Sequence, residues 1–170
     1  MNKRSFFISG SVLLCLILTG CASGGNDNGE ENIKNIVENL FEDLDDSQYE
    51  ALRQTDGQAV SDSLASSDLP QWVEDRFKND MTDEGYGTFT GTAFYEIPVK
   101  AYEAHKEMGL EDLEIQKDGD SYEISGTLTM ESGTDTESIG IQGTAQTDDQ
   151  GLVSNLSISN ISEIIESLES

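Results

Sequence analysis

Apolar residues recur at helical spacing in the first part of the exported chain. Over residues 33–44 they fall at positions i, i+3, i+4, i+7, i+8 and i+11, while acids and amides take the other faces. This pattern predicts an amphipathic helix with one buried side. Ser47 followed by Glu50 matches a capping box, which predicts a second, shorter helix over residues 49–54.

A third helical stripe follows a polar, weakly patterned stretch. Asp68 precedes Pro70 as a cap, with the proline in the first turn, and the helix is expected to end at residues 79–81. Its apolar positions are Leu69, Trp72, Val73, Phe77 and Met81. Residues 82–97 hold three glycines and several aromatic residues, and their pattern predicts no definite element.

A fourth helix is predicted over residues 98–108. Pro98 stands at its start and Gly109 at its end, the positions at which these two residues favour helix boundaries. One face of this helix carries Ala101, Tyr102, His105 and Met108.

The apolar period changes from 3.6 to 2 after residue 109. Leu113 and Ile115 alternate with polar residues, Asp118-Gly119 is a hairpin signal, and residues 122–130 present apolar side chains on one face only. Third and fourth strands follow, separated by a turn at residues 148–151. Such one-sided alternation is typical of an antiparallel sheet with one packed face and one face in water.

Two glycines fall at inward positions in the middle of these strands. We interpret Gly126 and Gly143 as bulges or bends that curve the sheet. The chain then ends in a short helix, which Asn160 and Glu163 open. Its apolar residues are Ile161, Ile164, Ile165 and Leu168.

The N-terminus has a different character from the rest of the chain. Lys3 and Arg4 precede an uncharged, mostly apolar run over residues 6–18, and this run is shorter than the roughly 20 residues that span a bilayer. A charged start followed by a short apolar core is typical of a secretory signal peptide. We therefore exclude this segment from the fold.

The signal ends in Leu18-Thr19-Gly20-Cys21, which resembles the lipobox of bacterial lipoproteins. The resemblance implies that residues 1–20 are removed and that the Cys21 thiol carries a diacylglyceryl group with fatty acyl chains such as palmitate. It also implies a domain anchored by lipid to the extracytoplasmic face of the cell membrane, in a Gram-positive bacterium. A plain signal peptide that merely contains a cysteine is the alternative. Residues 21–31 are then the lipidated cysteine and a flexible acidic linker.

The order of elements predicts an α+β fold. Residues 32–170 form a single domain in which N-terminal helices pack on one face of a curved four-stranded antiparallel sheet. With a lipoprotein signal in front, this order, and the local sequence over residues 80–86, resemble the NTF2-like (cystatin-like) domains of small lipoproteins. That resemblance implies a cone-shaped sheet over residues 33–160.

Composition excludes several classes of function. The chain has 34 Asp and Glu against 9 Lys and Arg, a formal charge of −25, so nucleic acid would be repelled. After cleavage, seven Lys and Arg against the same 34 acids leave −27. Cys15 lies in the signal and Cys21 is acylated, so the domain retains no thiol for a disulfide, a metal or a nucleophile. The spread of the acids along the chain favours a solvated surface over a binding face.

Candidate catalytic and metal-binding residues are few. The resemblance to cone-fold enzymes directs attention to Tyr86, Tyr95, Tyr102 and His105, yet their spacing places none of them around a cavity, and we assign no catalytic residue. Residues 43–47 begin like a calcium-binding loop but lack its glycine and its final glutamate. Asp118-Gly119-Asp120 and Asp148–Gly151 are interpreted as hairpin turns. No cofactor-binding motif is present, and neither a cofactor nor a metal is expected.

The sequence therefore favours a lipid-anchored, non-enzymatic binding or accessory module with an unknown small ligand or envelope protein as partner, and it does not indicate an oligomeric state. The alternative is a small cone-fold enzyme, an isomerase or hydrolase, which would need a polar pocket holding His105 or a tyrosine beside a carboxylate. Weak buffering of cations by the acidic surface is a third possibility.

Overall fold

The computed structural model describes residues 28–55, 69–92 and 96–169. The predictions for the signal peptide, Cys21, Asp68 and Tyr95 lie outside these residues. A short 3₁₀ helix lies at Lys78–Asp80, and within these ranges six α-helices and four strands follow one another. They are α1 Asn28–Leu40, α2 Asp46–Thr55, α3 Gln71–Phe77, α4 Asp83–Gly91, α5 Glu96–Glu103, β1 Glu107–Asp118, β2 Ser121–Ser132, β3 Asp135–Thr147, β4 Val153–Ile158 and α6 Ile161–Glu169.

The predicted α+β class is confirmed. The four strands form one sheet in the order β1-β2-β3-β4, and each neighbouring pair is antiparallel. Hairpin turns join consecutive strands, and glycines in the left-handed region stand in them, as at Gly119 (φ 62°) and Gly151 (φ 86°). The two Asp-Gly segments interpreted as turns are turns.

The core lies between the helices and one face of the sheet. Alternate residues of β2 and β3 point into it, and most of the inward ones are at most 2% exposed, as at Tyr122, Leu128 and Ile141, while Gly126 and Ile139 are half-buried. The opposite residues of these strands are mostly exposed. The predicted division into a packed face and a wet face is confirmed.

Helix α1 carries the first four positions of the predicted apolar stripe; it begins earlier than expected and ends at Leu40, so that Phe41 and Leu44 are buried but follow the helix. It starts at Asn28, so residues 28–31, which the sequence assigns to the linker, belong to the helix. Its first turn lies against the turn between β3 and β4: Gly29 is buried, and Asn32 Nδ2 donates to the Gly151 carbonyl at 2.9 Å. These contacts stabilise the first turn of α1, which has no large apolar side chain of its own.

A capping box opens α2, but not at the predicted residues. Asp45 Oδ1 accepts a hydrogen bond from the Gln48 amide at 2.8 Å, and Gln48 Oε1 accepts one from the Asp45 amide at 3.1 Å. This reciprocal pair is the capping box, and Asp45 also accepts from the Ser47 hydroxyl. The prediction that Ser47 and Glu50 form it is wrong by two residues.

The segment that the sequence left unassigned contains α4 and the start of α5. Thr82 caps α4 by accepting from the Gly85 amide at 3.0 Å, and its own amide donates to the Val153 carbonyl. A Cβ at Gly85 would lie 2.4 Å from that same carbonyl oxygen. The glycine therefore lets α4 approach β4 closely.

Helix α5 ends five residues before the predicted boundary. The His105 amide donates to the Tyr102 carbonyl, and the Lys106 amide donates to the Ala101 carbonyl. His105 has a φ of 54°, so the arrangement is a Schellman motif with histidine in the position that usually favours glycine. Gly109, predicted as the stop, lies in β1 together with Met108.

The interpretation of the two mid-strand glycines needs correction. The register shift lies in β1 between Glu111 and Glu114, opposite Gly126, so the bulge belongs to the neighbouring strand. Gly143 pairs in register with both of its neighbouring strands, and a Cβ there would lie 2.6 Å from the Ser157 carbonyl oxygen. Close strand packing, rather than a bulge, requires glycine at this position.

The last helix follows its prediction. Asn160 precedes α6 and joins it to the sheet, because its side chain donates to the Gly140 carbonyl and accepts from the Gln142 amide. Ile164 and Leu168 are buried.

Arg76 of α3 ties three helices together. Its guanidinium donates to the carbonyls of Asn39 and Asp43 at the end of α1, and to Gln48 Oε1 in α2, at 3.3–3.4 Å. It also lies 3.2 Å from the Glu42 carboxylate, and Asn39 Nδ2 donates back to the Arg76 carbonyl at 2.8 Å. The side chain is only 11% exposed, and burial lowers its pKa while leaving it cationic.

Leu40→Ala should destabilise the domain by about 2–5 kcal/mol, because Leu40 is fully buried and the truncation removes packing and leaves a cavity. Chemical denaturation followed by circular dichroism measures this loss. Glu50→Gln, at an exposed position of α2, is the control and should unfold like the wild type. A wild-type midpoint for the Leu40 variant would contradict the packing of α1.

Arg76→Met should lower the free energy of unfolding by about 2 kcal/mol, the scale for losing hydrogen bonds from a charged donor. The matched control is Arg53→Met, because Arg53 is exposed and only stacks at 6.0 Å over the Tyr49 ring. Urea midpoints of the two variants make the comparison. Equal midpoints would mean that Arg76 does not link the helices.

Candidate functional site

The structure brings two of the predicted candidates to one groove. Tyr102 on α5 and His105 at the end of that helix line a cavity of about 490 Å³ together with Asp43 and Asp46. The cavity opens between α5 and the start of α2. His105 was predicted on the apolar side of a helix, which is wrong, because it lies at the helix end and is exposed.

Tyr102, which lines this groove, stacks on Tyr49 of the neighbouring helix. The rings of Tyr49 and Tyr102 lie 4.3 Å apart with an angle of 23° between their planes. The Tyr102 hydroxyl donates to Asp46 Oδ1 at 2.7 Å, and the Tyr49 hydroxyl donates to Glu103 Oε1 at 2.8 Å. Each helix thus supplies a tyrosine and a carboxylate, and the pairing holds α2 on α5. Sequence analysis missed Tyr49, since only the fold places it beside Tyr102.

The electrostatics of the groove do not favour proton abstraction by tyrosine. The hydrogen bond to Asp46, with burial and the charge of Asp46 as further causes, raises the pKa of Tyr102. The pKa of Tyr49 is raised in the same way by Glu103. Both phenols therefore remain protonated at neutral pH and act as hydrogen-bond donors. They can orient a ligand in the groove, but they do not provide a base.

The acids of the predicted calcium-like loop are occupied by protein donors. Asp43 Oδ1 accepts from the Met108 amide at 3.0 Å, Asp45 caps α2, and Asp46 accepts from Tyr102. Capping by Ser47 and by the Gln48 amide lowers the pKa of Asp45, since these bonds favour the carboxylate. Among the described residues, no three metal-ligating side chains come together as a group.

Tyr86 lies apart from this groove. It is 5% exposed on α4, and its hydroxyl is the one buried side-chain polar atom of the described residues without a hydrogen-bond partner. Burial raises its pKa, with the Glu74 charge as a smaller cause, so the phenol is neutral there. The Lys78 ammonium lies 5.8 Å from the ring centroid. Tyr86 therefore acts as a core aromatic residue covered by a lysine.

A second cavity, of about 680 Å³, lies between the two hairpin turns at one end of the sheet. Asp148 Oδ1 accepts from the amides of Gln150 and Leu152, both at 2.9 Å, so this carboxylate shapes its own turn. Asn28 at the start of α1 also lines the cavity. Backbone and side-chain polar groups dominate its walls.

Comparisons with models of known protein families, with curated proteins and with solved structures find no match to this chain. Within the described segments, no helix is both long enough and apolar enough to cross a membrane. The site must therefore be judged on its own chemistry.

Asp46→Asn should lower the pKa of Tyr102, because the substitution removes the negative charge that opposes formation of the phenolate. Spectrophotometric titration of the tyrosines detects the shift. Tyr102→Phe identifies which transition belongs to Tyr102. Adding Asp46→Asn to Tyr102→Phe should leave the titration of the remaining tyrosines unchanged. An unchanged titration in Asp46→Asn would contradict the hydrogen bond between the two side chains.

Proposed function

We propose that this chain is a bacterial lipoprotein whose α+β domain is a non-enzymatic binding or accessory module outside the membrane. Lipid on Cys21 holds it at the extracytoplasmic face of the cell membrane. The Leu18-Thr19-Gly20-Cys21 segment, behind a short apolar run with Lys3 and Arg4 before it, supports the anchor. A diacylated cysteine provides stable membrane affinity without a basic patch, which suits a strongly acidic domain.

The apolar composition of the buried core favours a binding module over an enzyme. Outside the tyrosines, Thr90 is the one polar side chain in the buried set of the described residues, and its hydroxyl donates to the Tyr86 carbonyl at 2.8 Å. Catalytic sites gain most of their electrostatic power where water is excluded. Here the inward face of the sheet is packed with apolar side chains, and the described carboxylates lie outside it.

The groove at Tyr102 is the observation that favours the alternative, a small cone-fold isomerase or hydrolase. It places a tyrosine beside a carboxylate and adds His105, the composition expected for such an enzyme. However, Asp46 and His105 are exposed, and the raised pKa of Tyr102 removes its use as a base. These properties suit recognition of a ligand better than proton transfer.

Cys21→Ser should leave an uncleaved precursor without lipid, because the serine hydroxyl does not replace the thiol that receives the diacylglyceryl group. Mass spectrometry of the intact protein and partition into detergent give the two readouts. If the variant were recovered cleaved before residue 21 and in the detergent phase, that result would refute the lipoprotein assignment.

Cys15→Ser is the matched control for that experiment. It exchanges the same atoms, but Cys15 lies inside the apolar run of the signal, so processing and lipid attachment should be those of the wild type. A defect in both variants would indicate a general failure of export rather than loss of the acylated residue.

A further inference from the structure

Three methionines hold the sulfur atoms of the described domain. No cysteine follows residue 21, so an oxidant that attacks sulfur there meets the thioethers of Met81, Met108 and Met130. Met81 is 4% exposed and Met130 is 2% exposed, whereas Met108 is only half-buried. Because oxidation of a thioether requires that the oxidant reach the sulfur, Met108 is the accessible one of the three.

The fold places Met108 at the margin of the core. It is the second residue of β1, three positions after the turn at His105 that ends α5. The register sets it opposite Met130 of β2, on the inward side of the sheet, and its side chain packs against the core. β1 stands first in the strand order, so no other described strand lies beyond it, and solvent reaches Met108 at this edge.

The backbone of Met108 brings its side chain close to that of Met130. The Met108 amide donates to Asp43 Oδ1 at 3.0 Å, outside the sheet, so Met108 and Met130 form a non-hydrogen-bonded cross-strand pair. Side chains approach each other most closely at such pairs, where the Cα atoms lie about 4.5 Å apart. A chemical change at Met108 therefore alters the packing of Met130, which is almost fully buried.

We infer that Met108 is an oxidation site, which hydrogen peroxide converts to methionine sulfoxide ahead of Met81 and Met130. The Met108 sulfur attacks one oxygen of the peroxide, the O–O bond breaks as the S–O bond forms, and the second oxygen leaves as water with both hydrogens. The thioether loses two electrons and the peroxide gains them. This inference goes beyond the proposed binding role and does not depend on the lipid anchor.

The sulfoxide weakens the packing at the start of β1. Oxidation turns a flexible apolar side chain into a polar one, and an inward sulfoxide places its oxygen against the apolar side chain of Met130. If the oxidised side chain turns outward instead, Met130 loses the neighbour that covers it. Either response lowers the stability of this end of the β1–β2 pair.

The start of β1 also belongs to the groove at Tyr102. Glu107 and His105 line that cavity, and so does Asp43, whose carboxylate accepts the Met108 amide. Loosening of Met108 therefore disturbs the contact between two walls of the groove. Oxidation of this one sulfur couples an oxidant outside the domain to the shape of the groove, which makes Met108 a redox-sensitive switch.

The first experiment measures which sulfur reacts. The full chain, recovered from cells in uncharged detergent, is treated with hydrogen peroxide and digested, and mass spectrometry follows the addition of one oxygen atom at each methionine. Met108 should react at least about tenfold faster than Met81 or Met130, whose sulfurs become accessible only when the core opens locally. In urea the three rates should converge. Equal rates in the folded chain, or faster reaction at a buried methionine, would overturn the inference.

The second experiment measures the consequence of oxidation. At the dose that oxidises Met108, the thermal midpoint should fall by about 4 °C, and hydrogen exchange should become faster over residues 105–110. Met108→Leu keeps an apolar side chain of similar volume and should resist both changes. The matched control is Met81→Leu at a buried methionine, which should respond to peroxide as the wild type does. An equal fall of the midpoint in Met108→Leu would assign the damage to another residue.

The outcomes separate this inference from the proposed function. An oxidised Met108 with an unchanged midpoint and unchanged hydrogen exchange would contradict the switch, while the lipid on Cys21 would be unaffected. Conversely, an unlipidated Cys21 together with selective, destabilising oxidation of Met108 would remove the membrane anchor and leave the switch in place.

Discussion

A shortage of positive charge constrains the whole molecule. Seven Lys and Arg follow residue 20, against 34 acids, so few cations are present to offset repulsion between packed elements. Arg76 shows the principle most clearly, because one nearly buried guanidinium reaches carbonyls at the end of α1 and a side chain of α2. Burying an arginine costs desolvation free energy, and these hydrogen bonds and the Glu42 carboxylate offset it. The helical layer is thereby held together, and the sheet is left without cations on its outer face.

The sheet tolerates that outer face for a structural reason. β1 is an edge strand, and exposed edges invite pairing with another chain unless charge or a bulge prevents it. Glu107, Glu111 and Glu114, with the bulge between the last two, provide both devices. The same carboxylates would repel the corresponding edge of a second acidic copy.

Regular patterns in the sequence allowed prediction of most of the fold. The apolar stripe over residues 33–40, the strand alternation and the turns at Gly119 and Gly151 are local signals that each decide one element, and the structure has all of them. The errors arise where a tertiary contact prevails over the local signal. Gly109 stands where a helix stop is expected, yet the Schellman turn at His105 ends α5 earlier and frees Met108 to pair with Met130. Similarly, α1 begins early because Gly29 meets the turn at Gly151.

The candidate groove was only half predictable for the same reason. Tyr102 and His105 stand out in the sequence as the residues able to do chemistry, but their companions, Asp46 and Tyr49, come from more than fifty positions away. The period of the sequence shows which side of a helix is apolar, but it does not show which other helix packs against that side. The outward glutamates of β1 and β2 are different, because register follows from strand alternation, so their positions follow from the pattern once β1 and its bulge are placed.

The proposed anchor and the fold together orient the domain. Cys21 precedes Asn28 by seven positions, and seven residues span at most about 25 Å when fully extended. Asn28 lies beside the turns at Gly119 and Gly151, so the proposed lipid on Cys21 would hold this end of the sheet nearest the membrane. The strands lead away from it, which places Glu107 and Glu131 at the far end of the sheet. These two carboxylates would then lie beyond the roughly 10 Å Debye length over which anionic headgroups act on them.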